Sequence, residues 1–144
     1  MNDTPTKLHH VVFCVHAENQ SRAAGIWERL GLTFEEILLP DLDLRVLLDW
    51  QAGIEIISPL GDSPAAAVFA QFLKEQGEGV YSVVVRVDDV DTALAHANAA
   101  TAPDGVTVAY RQHRGGDGEP ELDEVMLAPV HGMPVTFLAT ERPD

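Results

Sequence analysis

The chain has one cysteine, Cys14, so no disulfide can form within it, and a single thiol is compatible with a reducing compartment. Basic residues are scarce too: nine Lys and Arg stand against 23 Asp and Glu, for a formal net charge of −14. That balance argues against nucleic acid as a partner, because phosphate backbones are bound largely through Lys and Arg that release counterions. The same field repels anions and favours cationic ligands or metal ions. Long apolar runs are also missing. None approaches the ~18 residues needed to cross a bilayer, and the opening MNDTPTKLHH lacks the basic start and continuous apolar segment of a secretory signal. The expected location is the cytoplasm, with no membrane partner.

What is present suffices for a core. Of 144 residues, 46% are hydrophobic, which fits one domain or two half-size modules sharing a buried interface. In LHHVVFCVH, strand alternation puts His10, Val12, Cys14 and His16 on one face and His9, Val11, Phe13 and Val15 on the other. ENQSRAAGIWERLGL then reads as a helix capped at Asn19 and stopped by Gly31. Three strands follow in LTFEEILL, LDLRVLLDW and GIEIISP. After a linker helix in DSPAAAVFAQFLKEQGEG the order starts again. VYSVVVRVDDV is a strand, DVDTALAHANAA a helix, and GVTVAYRQH, ELDEVMLAP and MPVTFLAT are three more strands. The pattern is βαβββ twice, a repeat of two supersecondary units, with His10 opposite Ser82 and Glu55 opposite Thr136. RQHRGGDGEPEL reads as a mobile loop. Asp88, Asp89, Asp91, Glu119, Glu121, Asp123 and Glu124 read as a solvated acidic face.

These features carry a family resemblance. LHHVVFCV, the junction GIEIISPLGDSPAAAVFAQFLKEQGEGV, VRVDDVDTAL and HGMPVTFLA resemble the vicinal oxygen chelate superfamily of glyoxalases, bleomycin-resistance proteins, extradiol dioxygenases and methylmalonyl-CoA epimerases. The junction, with Glu55 between isoleucines, Pro59-Leu60-Gly61 and Gly77-Glu78-Gly79, is most similar to the epimerase branch. The resemblance implies an α+β fold in which two tandem βαβββ modules form a cup-shaped mixed β-sheet with helices on the outer face. It implies a single glyoxalase-like domain over 1–144, with modules at 7–60 and 79–141 and a linker helix at 61–78. It also implies a divalent metal held by four inward side chains, at positions occupied here by His10, Glu55, Ser82 and Thr136. Only His10 and Glu55 are metal ligands by type; Ser and Thr hydroxyls are poor replacements for histidine and carboxylate. The cofactor is therefore unknown and the metal set incomplete. The missing positions count against dioxygenase and glyoxalase chemistry, and Thr136 counts likewise against activity of the methylmalonyl-CoA epimerase type, which the resemblance implies would use a glutamate there as one of two acid–base residues.

On the inner face, His10 and Glu55 form a candidate acid–base pair, with Asp41 or Asp43 near the position of the epimerases' other carboxylate. Arg86 is a candidate anchor for a carboxylate or phosphate, and Ser82, Thr136 and Cys14 would line the ligand wall. Glu55 and Arg86 as a mutually neutralising structural pair is the plainer alternative. Cys14 as a small buried hydrophobe and Tyr81 as a packing aromatic are others. His113 and His131 lie in or near loops. Two functions are expected from this set. One is an isomerase, epimerase or lyase that transfers a proton on a small organic acid or thioester. The other is a non-catalytic drug- or metabolite-binding protein like the bleomycin-resistance members. A homodimer is expected in either case.

Overall fold

The computed structural model describes residues 6–141, apart from the Glu119 side chain. The elements are β1 (Lys7–Cys14), α1 (Ala17–Glu28), β2 (Glu35–Leu39), a 3₁₀ turn (Pro40–Leu42), β3 (Leu44–Asp49), β4 (Ile54–Pro59) and α2 (Pro64–Gln76). They continue with β5 (Gly79–Arg86), α3 (Val90–Ala100), β6 (Val108–Gly116), β7 (Glu119–Leu127) and β8 (Val135–Thr140). The fold is α+β, built from βαβββ twice. Two compact units divide the described chain: His10–Tyr81, and Ser82 onward together with the first residues of β1.

In the first unit the strands lie in the order β2-β3-β4-β1, with β1 parallel to β4 and the other pairs antiparallel. The second repeats this as β5-β8-β7-β6, with β5 parallel to β8. Even the register recurs. Val11 pairs with Ile54 and Val12 with Glu55, as Val83 pairs with Val135 and Val84 with Thr136.

One face of the first sheet is covered by α1. Ala24 packs on Val15, Leu47 and Ile56, flanked by Phe13, Trp27 and Phe34. Gln20, fully buried, stitches this helix to the sheet. Its Nε2 donates to the carbonyls of Arg45 (2.9 Å) and Ile56 (3.0 Å), and its Oε1 accepts from the Arg45 guanidinium (3.2 Å). The helix begins earlier than its sequence suggests, with His16 at the cap position and no side-chain cap of its own. Glu78 supplies the cap instead. Its carboxylate accepts from the His16 backbone N–H and from Asn19 Nδ2, both at 2.9 Å. Strand β1 thus ends at Cys14, and His16 belongs to the helix start rather than to the strand face. At the other end, Gly31 takes φ +105° and the Leu32 N–H reaches back to the Trp27 carbonyl (3.2 Å), as in a Schellman stop.

The Asn19 amide, followed by the His16 N–H, holds the Glu78 carboxyl below the ordinary glutamate range. Only the carboxylate caps, so its contribution is complete above about pH 4.5 and lost as pH falls through the lowered folded value. Glu78→Gln is expected to cost about 1 kcal/mol or less, because the group is exposed and screened. Melting curves of the two proteins should differ at pH 7 and converge toward pH 3.

In the second unit, α3 starts at Asp89, whose Oδ2 accepts from the Thr92 N–H (2.8 Å) and hydroxyl (2.6 Å). Arg111 on β6 ties this helix to the sheet through Asp91 (2.9 Å) and Asp123 (2.8 Å). The expected loop over 111–122 is instead a hairpin: β6 and β7 run to Gly116 and from Glu119, leaving a two-residue turn. Asp117 and Gly118 both have positive φ, 53° and 94°, as a type I′ hairpin turn demands. Gly115, at φ +104° beside a register shift, has to be glycine, since a Cβ there would sit 2.3 Å from the Pro120 carbonyl oxygen. Among the described residues, no helix is long and apolar enough to cross a membrane.

Candidate functional site

Along β4 the side chains alternate, and because Ile56 lies in the α1 core, Glu55 and Ile57 face the other way. Glu55 pairs in register with Val12 on β1 and Leu48 on β3, so these share its face. His10, two residues before Val12, joins them. Its Nε2 stands 3.8 Å from Glu55 Oε1, and the His10 ring meets Trp50 edge-on with centroids 5.0 Å apart. His10 is buried and the Glu55 side chain is 19% accessible. The separation suits an ion pair but exceeds a hydrogen bond, so no proton is shared tightly between the two groups. An acid–base couple in a wall of Val12, Leu48 and Ile57 can take a proton from an incoming carbon acid.

Other residues expected at the site lie elsewhere. Asp41 is exposed in the 3₁₀ turn that precedes Leu44. Leu44 pairs with Pro59 and Leu48 with Glu55, four strand residues or roughly 13 Å apart, so the Asp41 backbone stands at the opposite end of β4 from Glu55. Asp43 is committed to structure: it adopts φ 51° and its Oδ2 accepts from the Ser63 N–H (2.9 Å) at the start of α2. The expectation that Cys14 lines a ligand wall is corrected. Its side chain is 0% exposed, and the thiol faces the Phe69 carbonyl of α2 at 3.9 Å. Burial, with a smaller push from the Glu78 charge, raises that thiol to about 12, so it is neither a nucleophile nor a thiolate ligand. Tyr81 packs between Phe69 and Phe72, with centroids 4.7 and 5.1 Å away. His113 is exposed on β6, opposite Asp123, and His131 is exposed in the turn before β8.

In the second unit, Ser82 and Thr136 are buried and hydrogen-bonded to each other, Oγ to Oγ1 at 2.7 Å. Arg86 Nη2 donates to the Thr140 carbonyl (3.0 Å), which fixes where its guanidinium points. One residue on this face is at odds with the sequence reading. Glu124, assigned to a solvated acidic face, pairs in register with Leu138 and Gln112 on the side of the sheet opposite Val125. It is part-buried and accepts a 2.6 Å bond from Gln112 Nε2. Burial lifts its carboxyl above the ordinary range, against the opposing pull of Gln112 and of the Arg114 charge. Alternation in LDEVML, with Leu122, Glu124 and Met126 on one side, is the sequence signal that points to it.

These donors do not fit a resident divalent metal. His10 and Glu55 are two, and no group of three or more His, Cys, Asp or Glu among the described residues is placed to hold an ion. The Ser82 and Thr136 hydroxyls are neutral and occupied with one another.

No family model matches the sequence, nor does any curated protein. Solved structures do match. A variant of methylmalonyl-CoA epimerase from Streptomyces coelicolor, in complex with 2-nitronate-propionyl-CoA, superposes with TM-score 0.63 at 19% identity, over 94% of this chain and 98% of that one. The chain has the vicinal oxygen chelate fold. Methylmalonyl-CoA epimerase from Mycobacterium tuberculosis gives TM-score 0.58 at 22% identity over 92% and 87%. A hypothetical protein from Bacillus halodurans C-125 gives 0.67 at 19% over 98% and 99%. At such identities the likeness to these epimerases is one of fold, and the activity has to be argued from side chains.

Proposed function

We propose that this chain is an isomerase, epimerase or lyase that moves a proton at the carbon next to a carbonyl, on a small organic acid or its thioester. The observation that carries the reading is the His10–Glu55 pair, 3.8 Å apart on the apolar face of the first unit. In the proposed step the Glu55 carboxylate takes the α-hydrogen as a proton. The C–H bond breaks, its electron pair moves toward the carbonyl oxygen to give an enolate, and an O–H bond forms on Glu55. His10 holds the carboxylate in place and offsets charge as the step proceeds. No step is routed through a metal.

Fold neighbours support the substrate class, since epimerases of this fold were solved with 2-nitronate-propionyl-CoA and with methylmalonyl-CoA. The charge of −14 favours the second reading, sequestration of a cationic drug or metabolite without turnover. Incubation in D₂O with methylmalonyl-CoA, other α-branched acyl-CoA esters and their free acids separates the two. Enzyme-dependent deuterium at the α-carbon, followed by NMR, is the expected result. Recovery of every compound undeuterated, alongside tight binding of a cationic glycopeptide, would establish the binding protein instead.

A further inference from the structure

The turn between β3 and β4 places an aromatic side chain beside the His10–Glu55 pair, and the step just described does not use it. Trp50 follows the last residue of β3 and is 47% exposed, although its ring meets His10 edge-on at 5.0 Å. His10 in turn reaches Glu55 at 3.8 Å. These two contacts with one imidazole bound the indole centre to within about 10 Å of the Glu55 carboxylate oxygen, the span of a small organic acid. All three residues belong to the first unit.

The turn is built to keep the indole there. Asp49 Oδ1 accepts from the Ala52 N–H and Oδ2 from the Thr33 N–H beyond α1, both at 3.0 Å. Gly53, at φ +76°, donates its N–H to the Asp49 carbonyl, and its own carbonyl accepts from the Val11 N–H, each at 2.9 Å. These bonds fix the turn that carries Trp50, the last of them one residue from His10. A lone exposed apolar residue needs no explanation. Trp50 differs in its place: a fixed turn carries it, a buried imidazole backs it, and Glu55 near it is 19% accessible. An indole offers a large apolar surface and loses little freedom when a ligand covers it.

We infer that Trp50 is a specificity-determining residue, the wall against which the α-substituent of the substrate packs. The preferred substrate is then an acid or thioester whose α-carbon carries an alkyl group larger than methyl. The inference rests on the proton-transfer reading above and deepens it by naming the substituent. With the α-hydrogen at Glu55, the other groups on that carbon lie within reach of the indole. Each methylene packed against it leaves water and adds about two- to fourfold to kcat/KM, the upper figure corresponding to full burial. Trp50 itself makes and breaks no bond.

The test uses the whole chain in D₂O, with malonyl-CoA thioesters that carry methyl, ethyl, butyl or 4-aminobutyl at the α-carbon. Alkyl chains of different length leave the α-hydrogen nearly equally acidic, so a trend along the series reports packing rather than chemistry. For wild type, kcat/KM for deuterium uptake should rise from methyl to butyl by about tenfold or more. Trp50→Ala should lower it a few-fold for methyl and about tenfold or more for butyl, which flattens the series. Trp50→Phe keeps an aromatic ring beside His10 and should retain most of the gradient. A folded Trp50→Ala that keeps the gradient overturns the assignment. So does an equal loss for every compound, which marks a residue that only supports His10. A wild type that prefers 4-aminobutyl to butyl overturns it too, since the indole would then serve a cation. If wild type exchanges none of the thioesters, the proton-transfer reading fails by itself, and calorimetry decides Trp50 separately. Binding that tightens from methyl to butyl in wild type but not in Trp50→Ala upholds the wall; binding indifferent to chain length removes it.

Discussion

Glu55→Gln should lower α-proton exchange by about 10²–10⁴-fold, the usual worth of a positioned general base, with little change in melting temperature. The amide matches the carboxylate in shape but cannot take a proton, so the loss is chemical rather than structural. His10→Ala should lower exchange less, because it removes the neighbour that holds and balances the base rather than the base itself. The expected signature is a fall in kcat and kcat/KM together, since the interaction lost is one made in the transition state. His10 is buried against Trp50, so its removal also leaves a gap, and His10→Gln is the better-packed control. If Glu55→Gln exchanges at the wild-type rate, the base lies elsewhere and the pair is only an ion pair of the sheet.

The largest stability effect is expected at the opposite face of the same strand. Ile56, 1% exposed, sits where α1 meets the first sheet, among Val15, Ala24 and Leu47. Ile56→Ala removes three carbons from a close-packed site and should cost about 2–5 kcal/mol, transfer and cavity terms together. For a chain of this size that is a drop in melting temperature of about 10 °C. Ile56→Val should cost about 1 kcal/mol. Denaturant titration checks it: the midpoint should fall with the slope unchanged. Glu55→Gln and Ile56→Ala are adjacent in sequence yet should separate cleanly, one silent in melting and the other silent in the chemistry of the folded protein.

That separation is legible in the sequence itself. Period-two alternation in GIEIISP assigns Glu55 and Ile56 to opposite faces, and the repeated βαβββ order announces two units with matching registers. Other features are not legible because their partners are distant in the chain. Glu78 caps a helix that starts 62 residues earlier, so local spacing points to Asn19 as the cap, a residue that proves to be Glu78's donor. Gln20 has the sequence context of an ordinary surface residue on a helix. Its burial follows from two strand carbonyls, of Arg45 and Ile56, that need a donor. Glycine content makes the 111–122 segment resemble a mobile loop, whereas Asp117-Gly118 is a strong local signal for a tight hairpin and prevails.

For the site, the sequence alone determined which side chains are candidates: alternation is a property of the chain, so His10, Glu55, Ser82, Arg86 and Thr136 could be assigned to faces from their spacing. It also placed hydroxyls, of Ser82 and Thr136, at the positions of the second repeat that match His10 and Glu55 in the first. Only the tertiary structure decided what each one does with its neighbours. It set His10 3.8 Å from Glu55 and bonded Ser82 to Thr136 at 2.7 Å. It also sealed Cys14 under α2 and turned Glu124 from one of many surface acids into a part-buried carboxyl held by Gln112. The reason is physical: burial and hydrogen-bond partnership depend on contacts between strands and helices far apart in the chain, and these, not residue identity, set whether a carboxyl is a solubilising charge or a proton carrier.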